Sequence, residues 1–240
     1  MELKGKNALI TGANGIIGAA IAKALAEAGV NLSLQYRNNH EKIDTIINSQ
    51  EKLGISVEAL QGDLQKASDS QNLVKEYFTK NAKLDILVNC LGDFSFKPLP
   101  ELSPEEFRQN INSNLNIAFD LSHFALPHLR KSAQGRILHI GYATAIQLEA
   151  KTNILPYHIA KLGLVLLTKS LAKEEASNNI LVNCLSPGIV EGSKYLPKND
   201  IPLKRPAKAT EIADAALFLL QSDYITGTNL EIDGGWRGYQ

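Results

Sequence analysis

The run Asn7-Ala8-Leu9-Ile10-Thr11-Gly12-Ala13-Asn14-Gly15-Ile16-Ile17-Gly18 decides the fold. Its first part, Asn7–Thr11, is a short apolar segment of strand character. Three glycines follow, and a helical period opens directly behind them. A plain strand-to-helix turn needs one glycine. Three let the backbone turn tightly and come close to a pyrophosphate seated on the free amides of a helix N-terminus. Gly12, Asn14, Gly15, Ile17 and Gly18 are therefore candidate dinucleotide contacts.

The same alternation continues outward from this turn. Apolar, β-rich runs at Asn31–Tyr36, Ser56–Gln61, Leu84–Cys90, Arg136–Gly141, Leu181–Leu185 and Asn229–Ile232 are separated by helical stretches near 15–28, 39–53, 68–82, 103–130, 156–177 and 210–221. Near-continuous apolar strands belong to parallel sheets covered on both faces. Ser103-Pro104-Glu105-Glu106 offers an N-cap, a first-turn proline and first-turn acids, while Gly29 and Gly54 close the first two helices. The pattern predicts an α/β chain with one Rossmann-type, doubly wound parallel sheet of about seven strands, helices on both faces, and a single domain over residues 1–240. Residues 188–206 mix Gly, Pro, Lys and Asn after a strand, at the edge where ligands bind in open α/β sheets. They are read as a substrate lid, the alternative being an inert surface loop.

Lys and Arg total 25, as do Asp and Glu, so no net field gathers nucleic acid or anionic membrane. No apolar run is long enough to span a bilayer, and the chain passes from Met1 into its first strand with no room for a signal peptide. Cys90 and Cys184 sit in apolar runs and suit a reducing compartment, so a cytoplasmic protein is expected. The histidines at 40, 123, 128, 139 and 158 lack metal-ligand spacing with acids or cysteines, and no catalytic metal is expected.

The end of the second predicted strand bears on the choice of nicotinamide cofactor. An NAD site usually places an acid there for the ribose 2′-hydroxyl. Here the chain reads Leu34-Gln35-Tyr36-Arg37-Asn38, with no acid until Glu41. Arg37 can pair bidentately with a 2′-phosphate, so NADPH/NADP+ is the expected cofactor. Tyr157 and Lys161 stand four apart at the start of an apolar helix and share one face. A lysine charge beside a phenol favours the phenolate. Such a tyrosine can hand a proton to a carbonyl oxygen while hydride reaches carbon.

Further landmarks stand in order along the chain. They are Gln61-Gly62-Asp63-Leu64, Leu87-Val88-Asn89-Cys90-Leu91-Gly92, Asn114, Gly135-Arg136-Ile137, Asn183-Cys184-Leu185-Ser186-Pro187-Gly188, and Tyr224-Ile225-Thr226-Gly227 before Asp233-Gly234-Gly235. With the glycine turn and Tyr157/Lys161, they make the chain resemble the short-chain dehydrogenase/reductases over nearly its whole length. The resemblance implies that Asp63 binds the adenine amino group and Leu64 adds a backbone contact. Asn89 and Gly92 would shape the strand end near the adenosine and ribose. Asn114 would hold a water that relays protons to Lys161, which would also bind the nicotinamide ribose. Pro187, Gly188 and Ile189 would lie along the nicotinamide. Helices 103–130 and 156–177 would pair across a two-fold axis in a homodimer or homotetramer, although Phe107, Ile111 and Leu115 serve equally as core. Cys90 and Cys184 would lie on strands with the Arg136–Gly141 strand between them, out of disulfide reach.

Three departures stand out. Gly15 gives a Gly-x-x-Gly-x-x-Gly spacing, where the family's common form has its middle glycine one residue later, at Ile16 here. The family usually carries a carbonyl-binding serine after the fifth strand. Counting forward from Gly135-Arg136-Ile137 reaches Tyr142, and counting back from Tyr157 reaches Thr144. A continued strand would aim both at one face. Tyr142 is favoured to line the site, with Thr144 as a possible stand-in for the serine. Losing such a donor costs on the order of 10²-fold in rate. Gly192 replaces a common threonine, with Ser193 beside it, and the lid is short for a deeply enclosed bulky substrate. The expected activity is NADPH-dependent reduction of a carbonyl substrate with Tyr157 as proton donor, most similar to 3-oxoacyl-ACP reductases. Pteridine reductases are a second branch, which tolerates a residue other than serine at that place. A non-catalytic NADPH-binding sensor is the reading of another class.

Overall fold

The strands are apolar on both sides because both sides are covered. In the computed structural model, which describes residues 1–38, 41–48, 50–193 and 200–236, one sheet contains β1 (Asn7–Thr11), β2 (Asn31–Tyr36), β3 (Val57–Gln61), β4 (Ile86–Asn89), β5 (Arg136–Ile140), β6 (Leu181–Pro187) and β7 (Asn229–Ile232). All pairings are parallel, in the order β3-β2-β1-β4-β5-β6-β7. Every position of β4, β5 and β6 is buried.

Successive side chains leave opposite faces. Ile10, Val88 and Leu138 pack under α1 (Ile16–Glu27) and α8 (Ala209–Gln221), against Ile21, Leu25, Ile212 and Leu219. Their neighbours Leu9, Leu87 and Ile137 meet α4 (Ala67–Lys80), α6 (Ile117–Leu129) and α7 (Leu155–Glu175) through Leu73, Leu121, Leu129 and Ala172. Each fully buried aliphatic side chain contributes about 1.5–3 kcal/mol. The winding reverses between β1 and β4, which opens a crevice beyond the carboxyl ends of those strands. Arg136, buried at the start of β5, donates to the Leu220 and Ser222 carbonyls and to Asp223 and so caps the end of α8.

Two helical expectations need correction. The stretch 103–130 divides into α5 (Pro104–Ile111), a π-helical turn at Asn112–Asn116, and α6. The π turn sinks Ser113 and Asn114 into the protein, and such inserted turns occur mostly at functional sites. The stretch 39–53 divides into α2 (Glu41–Ile47) and α3 (Gln50–Leu53). Ser103 caps α5 as expected, and Glu106 completes a capping box with it, the Glu106 amide donating to Ser103 Oγ and the Ser103 amide to Glu106 Oε2. β6 runs two residues further than expected, to Pro187, because it pairs with β7 through Pro187↔Ile232. Cys90 and Cys184 are free thiols, and β5 lies between their strands. No helix among the described residues is long and apolar enough to cross a membrane.

Candidate active site

Two cavities meet at the switch point and share Gly15, Cys90, Gly92 and Asp93. The first, of about 330 Å³, is lined by Gly12, Asn14, Arg37, Asp63 and Leu64. The second, of about 540 Å³, is lined by Ile17, Tyr142, Tyr157, Lys161, Pro187, Gly188 and Ile189. Most residues singled out by the sequence thus converge on one continuous cleft.

The glycine turn provides a cradle for a dinucleotide. Gly12 has φ +63°, and a Cβ there would lie 3.2 Å from the Cys90 backbone. No side chain among the described residues caps α1, which leaves the amides of its first turn facing the cleft for an anion. Gly18 does not line the cleft. It lies behind it, where a Cβ would stand 2.3 Å from the Gly12 carbonyl oxygen, and so allows the helix to pack on the turn. Gln35 was missed by sequence reasoning. Its Oε1 accepts the Gly12 amide at 2.9 Å and its Nε2 donates to the Gly62 carbonyl at 2.7 Å, tying the glycine turn to the exit of β3. A glutamine buried inside the apolar run of β2 was the available signal.

Lys161 is buried and donates to the Ile140 carbonyl at 2.7 Å. Burial pushes its pKa down from 10.5 to about 8, a fall opposed by the nearby Cys184 and Cys90 thiols. Its Nζ stands 5.6 Å from the centre of the Tyr157 ring. Asn114 lies behind the cleft wall, its Nδ2 donating to the carbonyls of Asp93 at 2.9 Å and Asn110 at 3.0 Å. Its Oδ1 is buried and has no hydrogen-bond partner among the described residues. A Cβ on Gly92 would come within 2.3 Å of that oxygen and 3.2 Å of Lys161 Nζ. Gly92 therefore keeps open the junction where Asn114 and Lys161 approach. Asn89 is also buried behind the cleft, its Nδ2 3.4 Å from Ser122 Oγ.

Burial, reinforced by the Lys161 charge, lowers the His139 pKa to about 3, so this histidine is a neutral core residue bonded to Thr168 and Ser122. Burial raises the Cys90 thiol to about 12 and keeps it protonated. His40 lies outside the described residues, among which no group of three or more His, Cys, Asp or Glu is placed to hold a metal ion.

The structure separates Tyr142 from Thr144. Tyr142 lines the cleft, with its ring centre 5.4 Å from that of Tyr157. The expected continued strand is instead a turn, in which Ala145 donates to the Tyr142 carbonyl and Gln147 to that of Thr144. Thr144 has φ +69° and is fully buried, and it is not among the lining residues. The left-handed conformation costs a β-branched residue about 1–2 kcal/mol. Thr144→Gly relieves that strain while losing a buried side chain and gaining chain entropy, so unfolding in urea is expected to shift by less than about 1 kcal/mol. A loss above about 3 kcal/mol, the scale of a large core truncation, would mean that the threonine side chain itself holds the turn.

Within the expected lid, Gly188–Val190, Gly192 and Ser193 line the cleft, residues 194–199 lie outside the described residues, and Ile201 is buried. Trp236 and Phe94, neither singled out beforehand, also line it. Trp236 directly follows the Asp233-Gly234-Gly235 segment and carries no motif spacing of its own.

A doubly wound sheet with a glycine turn at its switch point defines a dinucleotide-binding protein. Comparison with known proteins narrows the class. A family model described as enoyl-(acyl carrier protein) reductase matches residues 12–237. A 3-oxoacyl-[acyl-carrier-protein] reductase of Chlamydia pneumoniae is 33% identical, with 98% of each chain covered. A short-chain dehydrogenase/reductase of Serratia marcescens superposes with a TM-score of 0.90 at 30% identity, covering 99% of this chain and 100% of that one. One from Burkholderia cenocepacia, solved in complex with NADP, gives 0.90 at 29% identity, covering 98% and 99%. The chain belongs to the short-chain dehydrogenase/reductase family. It is an oxidoreductase of that family.

Proposed function

We propose that this enzyme reduces a ketone with NADPH, Tyr157 supplying the proton. The reading rests chiefly on the placement of Tyr157 and the buried cation of Lys161 in the cavity that also holds Pro187, Gly188 and Ile189. Gly12, Asn14, Gly15, Asp63, Leu64 and Gly92 would hold the cofactor's adenosine and diphosphate, and Ile17, Pro187, Gly188 and Ile189 its nicotinamide end. Bound there, NADPH supplies a hydride. The Tyr157 hydroxyl donates its proton to the carbonyl oxygen, and the Lys161 charge stabilises the phenolate left behind. Tyr142 orients the carbonyl from the place of the family's usual serine, and Asn114 holds the water that returns a proton through Lys161.

Arg37 is exposed at the mouth of the adenosine cavity and selects the 2′-phosphate. Losing a charge-assisted bond worth about 1.5–3 kcal/mol, Arg37→Ala is expected to lower the preference for NADPH over NADH by about 10- to 100-fold in kcat/KM. An unchanged ratio would remove Arg37 from that role.

The leading substrate class is a 3-oxoacyl thioester or related ketone, consistent with relatives named 3-oxoacyl-[acyl-carrier-protein] reductases. The aromatic Tyr142 favours a dihydropterin as the second reading. NADPH consumption with acetoacetyl thioester, dihydrobiopterin and dihydrofolate separates the two, since turnover of the pterins alone overturns the first. NADPH binding with no turnover of any carbonyl or pterin compound would favour a sensor. The enzyme works as a homodimer or homotetramer through the faces of α6 and α7 that expose Phe119 and Leu166. Light scattering showing a monomer would refute that assembly. A cytoplasmic setting suits the free thiols of Cys90 and Cys184.

A further inference from the structure

The cleft around Tyr157 is walled by aromatic rings. Their contacts run in a chain from Phe94 to Tyr157 (5.1 Å between centres, 85° between planes), to Tyr142 (5.4 Å, 67°) and to Trp236 (5.9 Å, 73°). All four line the cavity of about 540 Å³. Trp236 arrives by an unusual backbone path. Gly234 and Gly235 have φ +64° and +83°, and the Gly235 amide donates to Asp233 Oδ1 at 2.9 Å. The reversed chain packs on residues 201–203, since a Cβ on Gly234 would meet Ile201 at 3.2 Å and one on Gly235 would meet Pro202 at 3.1 Å. The indole is left 1% exposed in a cluster with Tyr142, Ile189 and Ile201.

Charge is scarce among the described residues of this cavity. Among its described lining residues only Asp93 and Lys161 are ionisable acids or bases of ordinary charge, and the Lys161 ammonium is directed to the Ile140 carbonyl. Among the described lining residues, an anionic head group on the substrate would meet Asp93 and find no cation beyond Lys161. The segments that build the wall also carry exposed apolar side chains, Phe96 beside Phe94 and Leu203 beside Gly234.

We propose that the substrate is a neutral ketone conjugated to a flat ring, and that Trp236 and Phe94 are the specificity-determining residues that select it. The inference rests on the ketone-reductase reading above and chooses, within it, a related ketone over the 3-oxoacyl thioester. A flexible acyl chain is satisfied by any aliphatic wall. Rings set edge to face around the proton donor present faces and edges that a planar partner fills best. The chemistry is unchanged: the carbonyl π bond opens, its carbon gains hydride and its oxygen gains the Tyr157 proton, while NADPH is oxidised to NADP+.

Trp236 is the sole tryptophan in the chain, so its emission reports on the cleft alone. Phenanthrenequinone, titrated into the full-length enzyme with NADP+ bound so that no turnover occurs, is expected to quench that emission saturably, and acetoacetyl-N-acetylcysteamine to leave it nearly unchanged. In steady state the wild type is expected to favour the quinone over the thioester by at least about tenfold in kcat/KM, the equivalent of one aromatic pair. Trp236→Leu and Phe94→Leu should each erode that preference by about tenfold, mainly through KM for the quinone. The second variant serves if the first does not fold. NADPH oxidation that favours the thioester, or variants that keep the wild-type preference, would overturn this inference and leave the ketone-reductase reading intact. No turnover of either probe in an enzyme that binds NADPH would overturn both.

Discussion

Tyr157→Phe is expected to lower kcat for carbonyl reduction by about 10²- to 10⁴-fold, the range for loss of a positioned general acid. Affinity for NADPH should stay close to that of the wild type. The substitution removes one oxygen and keeps the ring, so the edge-to-face contacts with Phe94 and Tyr142 survive. The side chain is only half-buried and its loss of a hydroxyl leaves no large void. Thermal unfolding and NADPH titration therefore serve as controls for an intact fold. A variant that retained more than a tenth of wild-type activity would shift the proton to the neighbouring phenol of Tyr142, which faces the same cavity.

Lys161→Met is expected to abolish activity and at the same time to stabilise the protein. The ammonium is buried and, among the described residues, makes one hydrogen bond, to the Ile140 carbonyl. Burial lowers its pKa from 10.5 to about 8, which corresponds to about 3 kcal/mol held against the charged form at neutral pH. Methionine fills similar space without that cost, so the thermal midpoint should rise by a few degrees at pH 7. The sign of the pH dependence follows from the lowered pKa. Between about pH 8 and 10.5 the unfolded chain holds a proton that the folded one has released, so wild-type stability rises with pH across that window. The advantage of the variant should shrink accordingly. Activity moves the other way, with wild-type kcat/KM falling above about pH 8 as the charge beside Tyr157 is lost. Calorimetry at both ends of the window checks the first part and a pH–rate profile the second. A variant less stable than wild type at pH 7 would show that the cation is compensated by bonds beyond that to Ile140.

The backbone of the fold was open to sequence reading because each strand reports its own burial. β1, β2, β5 and β7 begin where apolar runs begin, and Gly29 and Gly54 adopt the left-handed φ that a helix end asks of glycine. Misses occurred where a local rule was overridden from a distance. Helical periodicity tolerates one extra residue, so the π turn at Asn112–Asn116 left no mark on the pattern between Pro104 and Leu129. The strand alternation applied to Tyr142 and Thr144 assumed an extended backbone, and a left-handed Thr144 breaks it. Gln35 acts on Gly12 and Gly62, which are remote in sequence, and Trp236 meets Tyr142 from the other end of the chain. Neither partnership has a spacing to read. The residues that converged as expected, from Gly12 through Arg37 and Asp63 to Tyr157, Lys161 and Ile189, are those placed by the strand ends themselves.

The most direct test of hydride transfer to a carbonyl uses NADPH carrying deuterium at both hydrogens of its reactive ring carbon. The enzyme is incubated with 2-acetylnaphthalene, acetoacetyl-N-acetylcysteamine and dihydrobiopterin in turn, and each product is examined by mass spectrometry. The expected result is an alcohol from a ketone substrate with one deuterium on the former carbonyl carbon, formed by wild type and lost to near background in Tyr157→Phe. Products free of deuterium with every substrate, while NADPH still binds, would contradict the reductase and leave a nucleotide-binding protein.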